Sequence, residues 1–220
     1  MHVIASPVGA KQSNEKIVIA GDRRELANPS LRAKRGNLIQ SINKREGGEM
    51  KALFVIDMLK DFLNKDGALY CGDQCRKIIA FVKEKIEGFH KERNLVVFIC
   101  DAHKKDDLEF KVFPKHCVAG TKGAEIIDEL PVGKDDVIIR KTRYSAFYGT
   151  NLDDVLKNKP ISEVHVVGIC TSICVMDTVG DLRDRDYKVI VYKDGVADFD
   201  ERSYQFSVER MEKIYAAEVV

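Results

Sequence analysis

The fold is decided by the stretch Val164-His165-Val166-Val167-Gly168-Ile169-Cys170-Thr171-Ser172-Ile173-Cys174-Val175. Its first half, Val164–Ile169, is apolar except for His165, and a short continuous apolar run predicts a strand that is buried on both faces. The pattern then changes to helical spacing over Val175–Arg185. A buried strand that leads directly into a helix is the repeating unit of parallel α/β proteins.

The same alternation continues on both sides of this stretch. Four further apolar runs predict strands: Ala52–Ile56, Leu95–Cys100, Asp136–Arg140 and Lys188–Tyr192. Helical spacing predicts helices at Cys75–His90, Ala124–Leu130, Leu152–Lys157 and Glu201–Tyr215. Apolar strands separated by helices predict an α/β protein with three layers, α/β/α, around a central, mostly parallel, Rossmann-like sheet.

Residues 1–49 differ in composition from the rest of the 220-residue chain. The first fifty residues carry nine Lys and Arg against five Asp and Glu, and they contain no Phe, Tyr, Trp or Cys. Such a segment can bury little apolar surface, so we expect residues 1–49 to be a mobile appendage. Two interpretations stay open: a basic tail that binds a partner, or a segment outside the natural protein, which would then start at Met50. Residues 50–220 are expected to form one folded domain.

Composition and charge exclude several classes of protein. The 36 Lys and Arg against 35 Asp and Glu give a net charge of +1, which argues against nucleic acid as a partner. No apolar run approaches the roughly 20 residues that cross a membrane, and no stretch resembles a secretory signal peptide. We therefore expect a cytoplasmic protein. Its six cysteines are then expected to be reduced, catalytic or metal-ligating rather than paired in disulfides.

Reactive side chains follow the predicted strands at the point where each strand ends. Asp57, Asp101 and Lys141 each come directly after a strand, and Cys174 lies a few residues beyond another. Because the carboxyl ends of parallel strands share one edge of the sheet, these side chains are expected to meet there. Cys174 at the start of a helix and near Lys141 is expected to be a thiolate nucleophile, with Asp57 as its acid–base partner. The alternatives are a buried structural thiol or a redox pair with Cys170.

A second set of ligand-type residues follows the strand that ends at Asp101. His103, Glu109 and His116 lie in the loop beyond it. Two imidazoles with one or two carboxylates suit a divalent transition metal, with zinc favoured over manganese and iron. The alternative for each of these side chains, taken alone, is an ordinary polar loop residue.

Five sequence motifs occur in a fixed order along residues 50–220. They are Phe54-Val55-Ile56-Asp57 with Asp61-Phe62, then Asp101-Ala102-His103, Phe113-Pro114-Lys115-His116-Cys117-Val118-Ala119-Gly120-Thr121, Lys141-Thr142-Arg143-Tyr144-Ser145-Ala146-Phe147, and Val167–Val175. In this order they resemble the isochorismatase-like cysteine hydrolases, and the nicotinamidases in particular. The Lys and Cys motifs are shared by the wider superfamily, whereas the Asp-x-His and Pro-x-His-Cys motifs are absent from its metal-free members.

The resemblance implies an isochorismatase-like hydrolase fold, a homo-oligomer, and the hydrolysis of nicotinamide to nicotinate and ammonia in NAD salvage. It implies that Cys174 is the nucleophile that forms a thioester, that Asp57 is the acid–base residue and that Lys141 stabilises the thiolate. The backbone amides of Cys170 and Cys174 would form the oxyanion hole, with a cis peptide bond before Cys170. The implied metal ligands are Asp101, His103, Glu109 and His116, and the implied walls of the ring pocket are Phe62 and Phe113, with Tyr144 or Tyr148 nearby.

Four positions depart from the pattern of the nicotinamidases. Ala102 stands where an aromatic residue is frequent, Phe113 where Trp is frequent, Leu59 where Gln is usual and Ser172 where Asp is frequent. None of these removes a reacting group. Two alternatives remain: another amide or carbamoyl hydrolase of the superfamily with a vestigial metal site, and a non-catalytic, oligomeric binding protein, against which the intact Cys, Asp and Lys set argues.

Overall fold

Six strands form one sheet in which every neighbouring pair is parallel. The computed structural model describes residues 49–220. Its strands are β1 (Met50–Ile56), β2 (Leu95–Asp101), β3 (Val137–Lys141), β4 (Ile161–Ile169), β5 (Lys188–Ala197) and β6 (Glu218–Val219). Their spatial order is β3-β2-β1-β4-β5-β6. The chain winds outward from β1 in one direction and from β4 in the other, so β1 and β4 border the switch point at which ligands bind in such sheets.

Helices cover both faces of the sheet. They are α1 (Lys60–Leu63), α2 (Asp73–Arg76), α3 (Ile79–Lys91), α4 (Leu152–Lys157), α5 (Met176–Asp184) and α6 (Glu201–Lys213). Successive side chains of a strand point to opposite faces. Phe54 and Ile56 of β1 accordingly pack in a core with α4, α5 and α6, and Leu53 and Val55 pack in a second core with α1, α2 and α3. The prediction of three layers is confirmed.

Two predicted helices differ in the structure. The segment Cys75–His90 is divided between α2 and α3, which begins only at Ile79. The helix predicted at Ala124–Leu130 is wrong, because only a short 3-10 turn forms, at Lys122–Ala124. Beyond that turn Ile126 pairs with Leu59 in an isolated β-bridge, while Ile127 and Leu130 are buried against the second core. The apolar spacing there reflects packing of an extended segment rather than a helical face.

Gly168 sets how closely the two central strands approach at their carboxyl ends. It pairs with Ile56 and has a φ of +126°, a conformation that side chains with a Cβ rarely adopt. A Cβ at this position would lie 2.1 Å from the carbonyl oxygen of Ile56. The glycine therefore lets β4 run against β1 up to the point where the segment that carries Cys174 begins.

The appendage predicted at residues 1–49 lies, apart from Glu49, outside the described residues, and its boundary stays a prediction. Strand β1 begins at Met50. Within residues 49–220, no helix has the length and apolar character needed to cross a membrane.

Candidate active site

Four side chains at the carboxyl ends of β1 to β4 lie in contact around one lysine. Lys141, the last residue of β3, places its Nζ 2.8 Å from Asp57 Oδ2, 2.5 Å from Asp101 Oδ1 and 3.2 Å from Cys174 Sγ. Asp57 follows β1, and its Oδ1 accepts a hydrogen bond of 2.9 Å from the backbone N–H of Asp101. All four side chains are buried. The convergence expected at the edge of the parallel sheet therefore takes place.

Burial and neighbouring charge set the protonation states of the lysine and the aspartate. Burial alone would lower the pKa of Lys141, but Asp101 and Asp57 outweigh it and hold the pKa well above its usual value. The ammonium therefore stays charged. Burial, and then repulsion from Asp101, raise the pKa of Asp57 to about 6, with Lys141 opposing both. A carboxyl group with that pKa can both accept and return a proton near neutral pH.

Cys174 does not have the environment that the sequence predicted for it. It is the fourth residue of a five-residue π-helical turn, Thr171–Val175, and α5 begins only after that turn. Burial raises the pKa of the Cys174 thiol, Lys141 lowers it, and the carboxylates of Asp57 and Asp101 raise it further, so that it lies well above its usual value. Burial and the two carboxylates therefore favour a thiol over the expected thiolate, and the state of the resting sulfur stays a prediction. A carboxylate oxygen of Asp57 lies within 4.8 Å of Cys174 Sγ.

Four further ligand-type atoms converge beside this set. His103 Nε2 lies 3.5 Å from Asp101 Oδ2 and 3.8 Å from Glu109 Oε1, and His116 Nε2 lies 4.0 and 3.9 Å from the same two oxygens. The exposed fraction of each of these four side chains is 7% or less. We call Asp101, His103, Glu109 and His116 the ligand quartet. Asp101 also belongs to the first group, since its other oxygen contacts Lys141. We call that group, Asp57, Asp101, Lys141 and Cys174, the catalytic set, after the role predicted for three of its members.

The ligand quartet fits a divalent transition metal. Among the described residues, His103 Nε2 and Glu109 Oε2 are buried and lack a hydrogen-bond partner, which is costly unless a ligand satisfies them. His116 Nδ1 lies 2.7 Å from the carbonyl oxygen of Pro114, so Nδ1 carries the proton and Nε2 offers a lone pair to the quartet. Two imidazole nitrogens and two carboxylate oxygens are a donor set that suits zinc, manganese or iron. The residues predicted for a metal are thus brought together.

A cavity of about 370 Å³ opens onto both sets of residues. Its lining includes Asp57 and Cys174 on one side, and Asp101, Glu109 and His116 on another. The predicted aromatic residues Phe62, Phe113 and Tyr144 line it, together with Leu69, Tyr70, Cys71, Ile169, Cys170, Ile173 and Phe199. No Lys or Arg occurs among these described lining residues. The cavity is therefore mostly apolar, and the Asp, Glu and His side chains of its lining all belong to the catalytic set or the ligand quartet.

Two predictions about the cavity have different outcomes. The prediction that Tyr148 lies at the pocket is wrong, because Tyr148 is absent from the lining of the cavity and is 67% exposed. The turn that follows Ser145 carries it to the surface, while Tyr144 stays at the wall. The Ile169–Cys170 peptide bond is cis, as the resemblance implied. Cys170 and Cys174 both reach the cavity, and the role of their backbone amides as an oxyanion hole stays a prediction.

Comparison with known proteins assigns the chain to a family. Residues 51–220 match the model of the isochorismatase domain. The chain belongs to the isochorismatase family. Its similar solved structures include the nicotinamidase/pyrazinamidase PncA from Bacillus subtilis, which is 31% identical with a TM-score of 0.74 over 78% of this chain and 99% of that chain.

Two further structures show the range of this family. The pyrazinamidase of Pyrococcus horikoshii in complex with zinc is 30% identical, with a TM-score of 0.72 over 77% of this chain and 98% of that chain. The N-carbamoylsarcosine amidase from Thermoplasma acidophilum is 33% identical, with a TM-score of 0.70 over 77% of this chain and 95% of that chain. Members of the isochorismatase family are thus amidohydrolases, and this chain is a hydrolase of that family.

Three supporting carboxylates of this isochorismatase-family hydrolase were missed at the level of sequence. Asp61 accepts the backbone N–H of Cys117 at 2.7 Å and fixes the loop that carries His116. Asp198 accepts the backbone N–H of Ser172 at 2.6 Å and fixes the turn that carries Cys174. Asp107 lies beside His103. Only Asp61, within a quoted motif, and Asp107, four residues after His103, could have been noticed, since Asp198 is far from Ser172 in sequence.

Proposed function

We propose that this chain is a nicotinamidase, which hydrolyses nicotinamide to nicotinate and ammonia. A divalent transition metal, with zinc favoured, would assist the reaction. One observation carries the proposal: the ligand quartet and the catalytic set share Asp101 and face the same cavity. A substrate with a metal-binding ring nitrogen and an amide group a few ångströms away suits such a pair of neighbouring sites. Nicotinamide has both groups on one rigid ring.

The first half of the reaction uses Asp57 and Cys174. Asp57, with its pKa raised by burial to about 6, takes the proton from Cys174 Sγ. The sulfur adds to the amide carbonyl, while the backbone N–H groups of Cys170 and Cys174 donate to the developing oxyanion. Asp57 then passes its proton to the amide nitrogen as the C–N bond breaks, so that ammonia leaves and a thioester remains. Lys141 stays charged throughout and stabilises the thiolate while it exists.

The second half returns the site to its starting state. Asp57 removes a proton from a water molecule, whose oxygen attacks the thioester carbonyl. The same backbone N–H groups stabilise the second oxyanion. The C–S bond breaks and Cys174 recovers its proton from Asp57. The product forms as nicotinic acid and becomes nicotinate when it loses its carboxyl proton to the solvent or to the released ammonia. Each proton thus moves through one carboxyl group, whose pKa is close to the pH at which it must act in both directions.

The ligand quartet and the aromatic wall position the substrate. Asp101, His103, Glu109 and His116 would hold a divalent transition metal, which when bound supplies a Lewis acid for the ring nitrogen. Phe62, Phe113 and Tyr144 cover the faces of the ring with apolar surface. Fixing the ring at one end places the amide carbonyl against Cys174 at the other, which is an orientation effect on the rate.

A second candidate is hydrolysis of another amide or carbamoyl compound of the same superfamily. The similarity to an N-carbamoylsarcosine amidase favours it. N-carbamoylsarcosine carries a carboxylate, however, and a buried carboxylate needs a cationic partner. The described lining of the cavity contains no Lys or Arg, which favours an uncharged aromatic amide. The third possibility, a non-catalytic binding protein, is opposed by the contacts of Lys141 with both Cys174 and Asp57.

The deciding experiment measures ammonia release by the purified, reduced protein before chelation, after chelation, and after separate addition of zinc, manganese or iron(II). Nicotinamide should be hydrolysed, chelation should remove the activity and one metal should restore it. Benzamide is the matched control, because it lacks only the ring nitrogen, and it should be the poorer substrate. No ammonia from nicotinamide with metal-replete protein would contradict the proposal, and release from N-carbamoylsarcosine instead would favour the second candidate.

We also propose that the enzyme acts in the cytoplasm, in NAD salvage, as a homo-oligomer. The reaction itself supports the salvage role, because nicotinate is a precursor of the pyridine ring of NAD. Light scattering coupled to gel filtration tests the oligomer directly. A mass close to the 24.8 kDa of one chain would contradict it.

A further inference from the structure

His103 is fully buried, and neither of its ring nitrogens makes a hydrogen bond among the described residues. Its Nε2 faces the ligand quartet, where Asp101 Oδ2 lies at 3.5 Å. Its Nδ1 lies on the opposite side of the ring, 3.3 Å from Asp107 Oδ2. A neutral imidazole can offer a lone pair at Nε2 only when the proton is on Nδ1. The residue that faces Nδ1 therefore decides whether His103 can act as a ligand.

Asp107 is held in place as an acceptor. Its side chain is only 5% exposed. Its Oδ1 accepts the backbone N–H of Glu109 at 3.0 Å, and Arg143 Nη1 lies 3.0 and 3.2 Å from its two oxygens. Arg143 in turn lies two residues beyond Lys141, at the end of β3. The carboxylate therefore cannot turn away from His103 without losing three hydrogen bonds.

We propose that Asp107, held by Arg143, is a positioning residue of the metal centre: its carboxylate accepts the Nδ1–H of His103 and so presents Nε2 to a divalent transition metal. This inference rests on the metal centre of the proposed function. A carboxylate behind a ligating imidazole fixes the tautomer and the ring orientation, and it makes the imidazole a stronger donor. His116 differs, because its Nδ1 faces the neutral carbonyl of Pro114. The two histidines of the quartet are thus unequal ligands.

Asp107 also reaches a second member of the quartet. The backbone N–H that it accepts belongs to Glu109, and this contact begins the 3-10 turn Leu108–Lys111. One carboxylate consequently fixes the ring of His103 and the start of the turn that carries Glu109. Replacement by Asn keeps an acceptor for that N–H but removes the charge behind His103. Replacement by Ala removes both contacts.

The test measures zinc affinity of the full-length apoprotein by competition with a chromophoric chelator. Asp107→Ala should raise the Kd for zinc by about 10–100-fold, and Asp107→Asn by a smaller factor, because loss of an outer-shell partner weakens metal binding to this extent. Asp106→Asn is the matched control, since this neighbouring carboxylate is exposed, and its Kd should match that of the unsubstituted protein. The Kd of Arg143→Gln for zinc should lie between the values of this control and of Asp107→Ala.

A second readout separates positioning from general loosening of the loop. Long-range ¹H–¹⁵N spectra of the imidazoles report which ring nitrogen is protonated. His103 should be protonated at Nδ1 in the unsubstituted protein and should lose that preference in Asp107→Ala, while His116 keeps it. An unchanged zinc Kd in Asp107→Ala, or an unchanged His103 tautomer, would overturn the proposal.

The two proposals fail in different ways. Unsubstituted protein that binds neither zinc nor manganese nor iron(II) would overturn the metal centre and the role of Asp107 together. Protein that binds zinc but releases no ammonia from nicotinamide would overturn only the proposed substrate. The comparison of Asp107→Ala with Asp106→Asn then still decides the positioning role, because it depends on metal affinity and not on turnover.

Discussion

Two clusters of His, Lys and carboxylate side chains lie at opposite ends of the same sheet. We call the first the amino-end cluster, since its members come from the starts of β1, β4 and β5. Its centre is Glu163, which lies 2.7 Å from Lys51 Nζ, 2.9 Å from His165 Nε2 and 3.0 Å from Lys188 Nζ. The remaining nitrogen of His165 lies 2.7 Å from the hydroxyl of Tyr192. Both histidine nitrogens and both carboxylate oxygens have partners.

The catalytic set with the ligand quartet uses the same residue types at the carboxyl end and leaves them differently paired. Both nitrogens of His103 and one oxygen of Glu109 are buried there without a hydrogen-bond partner in the described part of the chain. Buried polar groups are otherwise almost always satisfied. The difference teaches that residue type alone does not identify a functional cluster. Unsatisfied polar atoms beside a cavity do, because they are available to a ligand.

The largest expected effect distinguishes Cys174, the proposed nucleophile, from the neighbouring Cys170. Cys174→Ala should lower kcat by roughly 10³-fold or more, because the nucleophile is lost and no other group forms the thioester. The midpoint temperature of unfolding should be nearly unchanged, since the substitution removes only one sulfur atom. Steady-state ammonia release and thermal unfolding measure the two quantities.

Cys170→Ala is the matched control for that experiment. Its side chain also lines the cavity, but the proposed oxyanion contact comes from its backbone, which the substitution keeps. Activity should therefore survive. Equal loss of activity in both variants would contradict the assignment of Cys174 as the sole nucleophile and would favour a pair of thiols that act together.

The second prediction compares the substitution of one histidine in each cluster. His103→Ala should remove most of the bound metal, measured by elemental analysis, because the ligand quartet loses one of its two imidazoles. His165→Ala should act on stability instead. It should keep the metal and lose about 1–3 kcal/mol of the free energy of unfolding, since Tyr192 and Glu163 each lose a partner. Unchanged metal content in His103→Ala would contradict the ligand quartet.

The third prediction concerns the pH dependence of activity. Burial, followed by repulsion from Asp101, raises the pKa of Asp57 to about 6, and Asp57 must be a carboxylate to accept the proton of Cys174. The value of kcat/KM should therefore fall by about tenfold for each pH unit below pH 6. Glu163→Gln should have the same profile, because the amino-end cluster takes no part in the reaction. An acid limb near pH 4, the range of an ordinary Asp, would contradict the role of Asp57.

The fold and the reactive residues could be predicted because both follow from local patterns. Apolar runs mark buried strands, and parallel strands place their carboxyl ends at one edge, so Asp57, Asp101 and Lys141 could be expected together before any distance was known. The helix predicted at Ala124–Leu130 failed because short apolar spacing does not distinguish a helix from an extended segment packed on α1.

Other features depend on contacts between distant parts of the chain. The raised pKa of Cys174 results from burial together with Asp57 and Asp101, which come from β1 and β2, and no local pattern around the cysteine reports them. The contact of Arg143 with Asp107 joins two loops 36 residues apart. Such contacts set the protonation and orientation of side chains whose identity the sequence alone can suggest.

The smallest expected effect is electrostatic and lies in the amino-end cluster. The hydrogen bond with Lys51, then those with His165 and Lys188, outweigh burial and lower the pKa of Glu163 to about 2 from 4.5. A carboxylate whose pKa is lowered on folding stabilises the protein above its unfolded pKa and loses that effect as the pH falls from 4.5 toward 2. The side chains of Lys51 and Lys188 are about half exposed, so solvent screens these contacts. The charge of Glu163 should therefore add only about 1 kcal/mol to the free energy of unfolding at pH 7.

Glu163→Gln makes that contribution measurable as a difference between two proteins. Urea unfolding at pH 7 should give the variant a lower free energy of unfolding than the unsubstituted protein. This gap in free energy should narrow as the pH is lowered below 4.5. The comparison cancels the other carboxylates, which titrate in both proteins. High salt at pH 7 should narrow the gap as well, since exposed ammonium groups are screened. A gap that stays constant from pH 7 to pH 3 would mean that Glu163 acts through packing and neutral hydrogen bonds rather than through its charge.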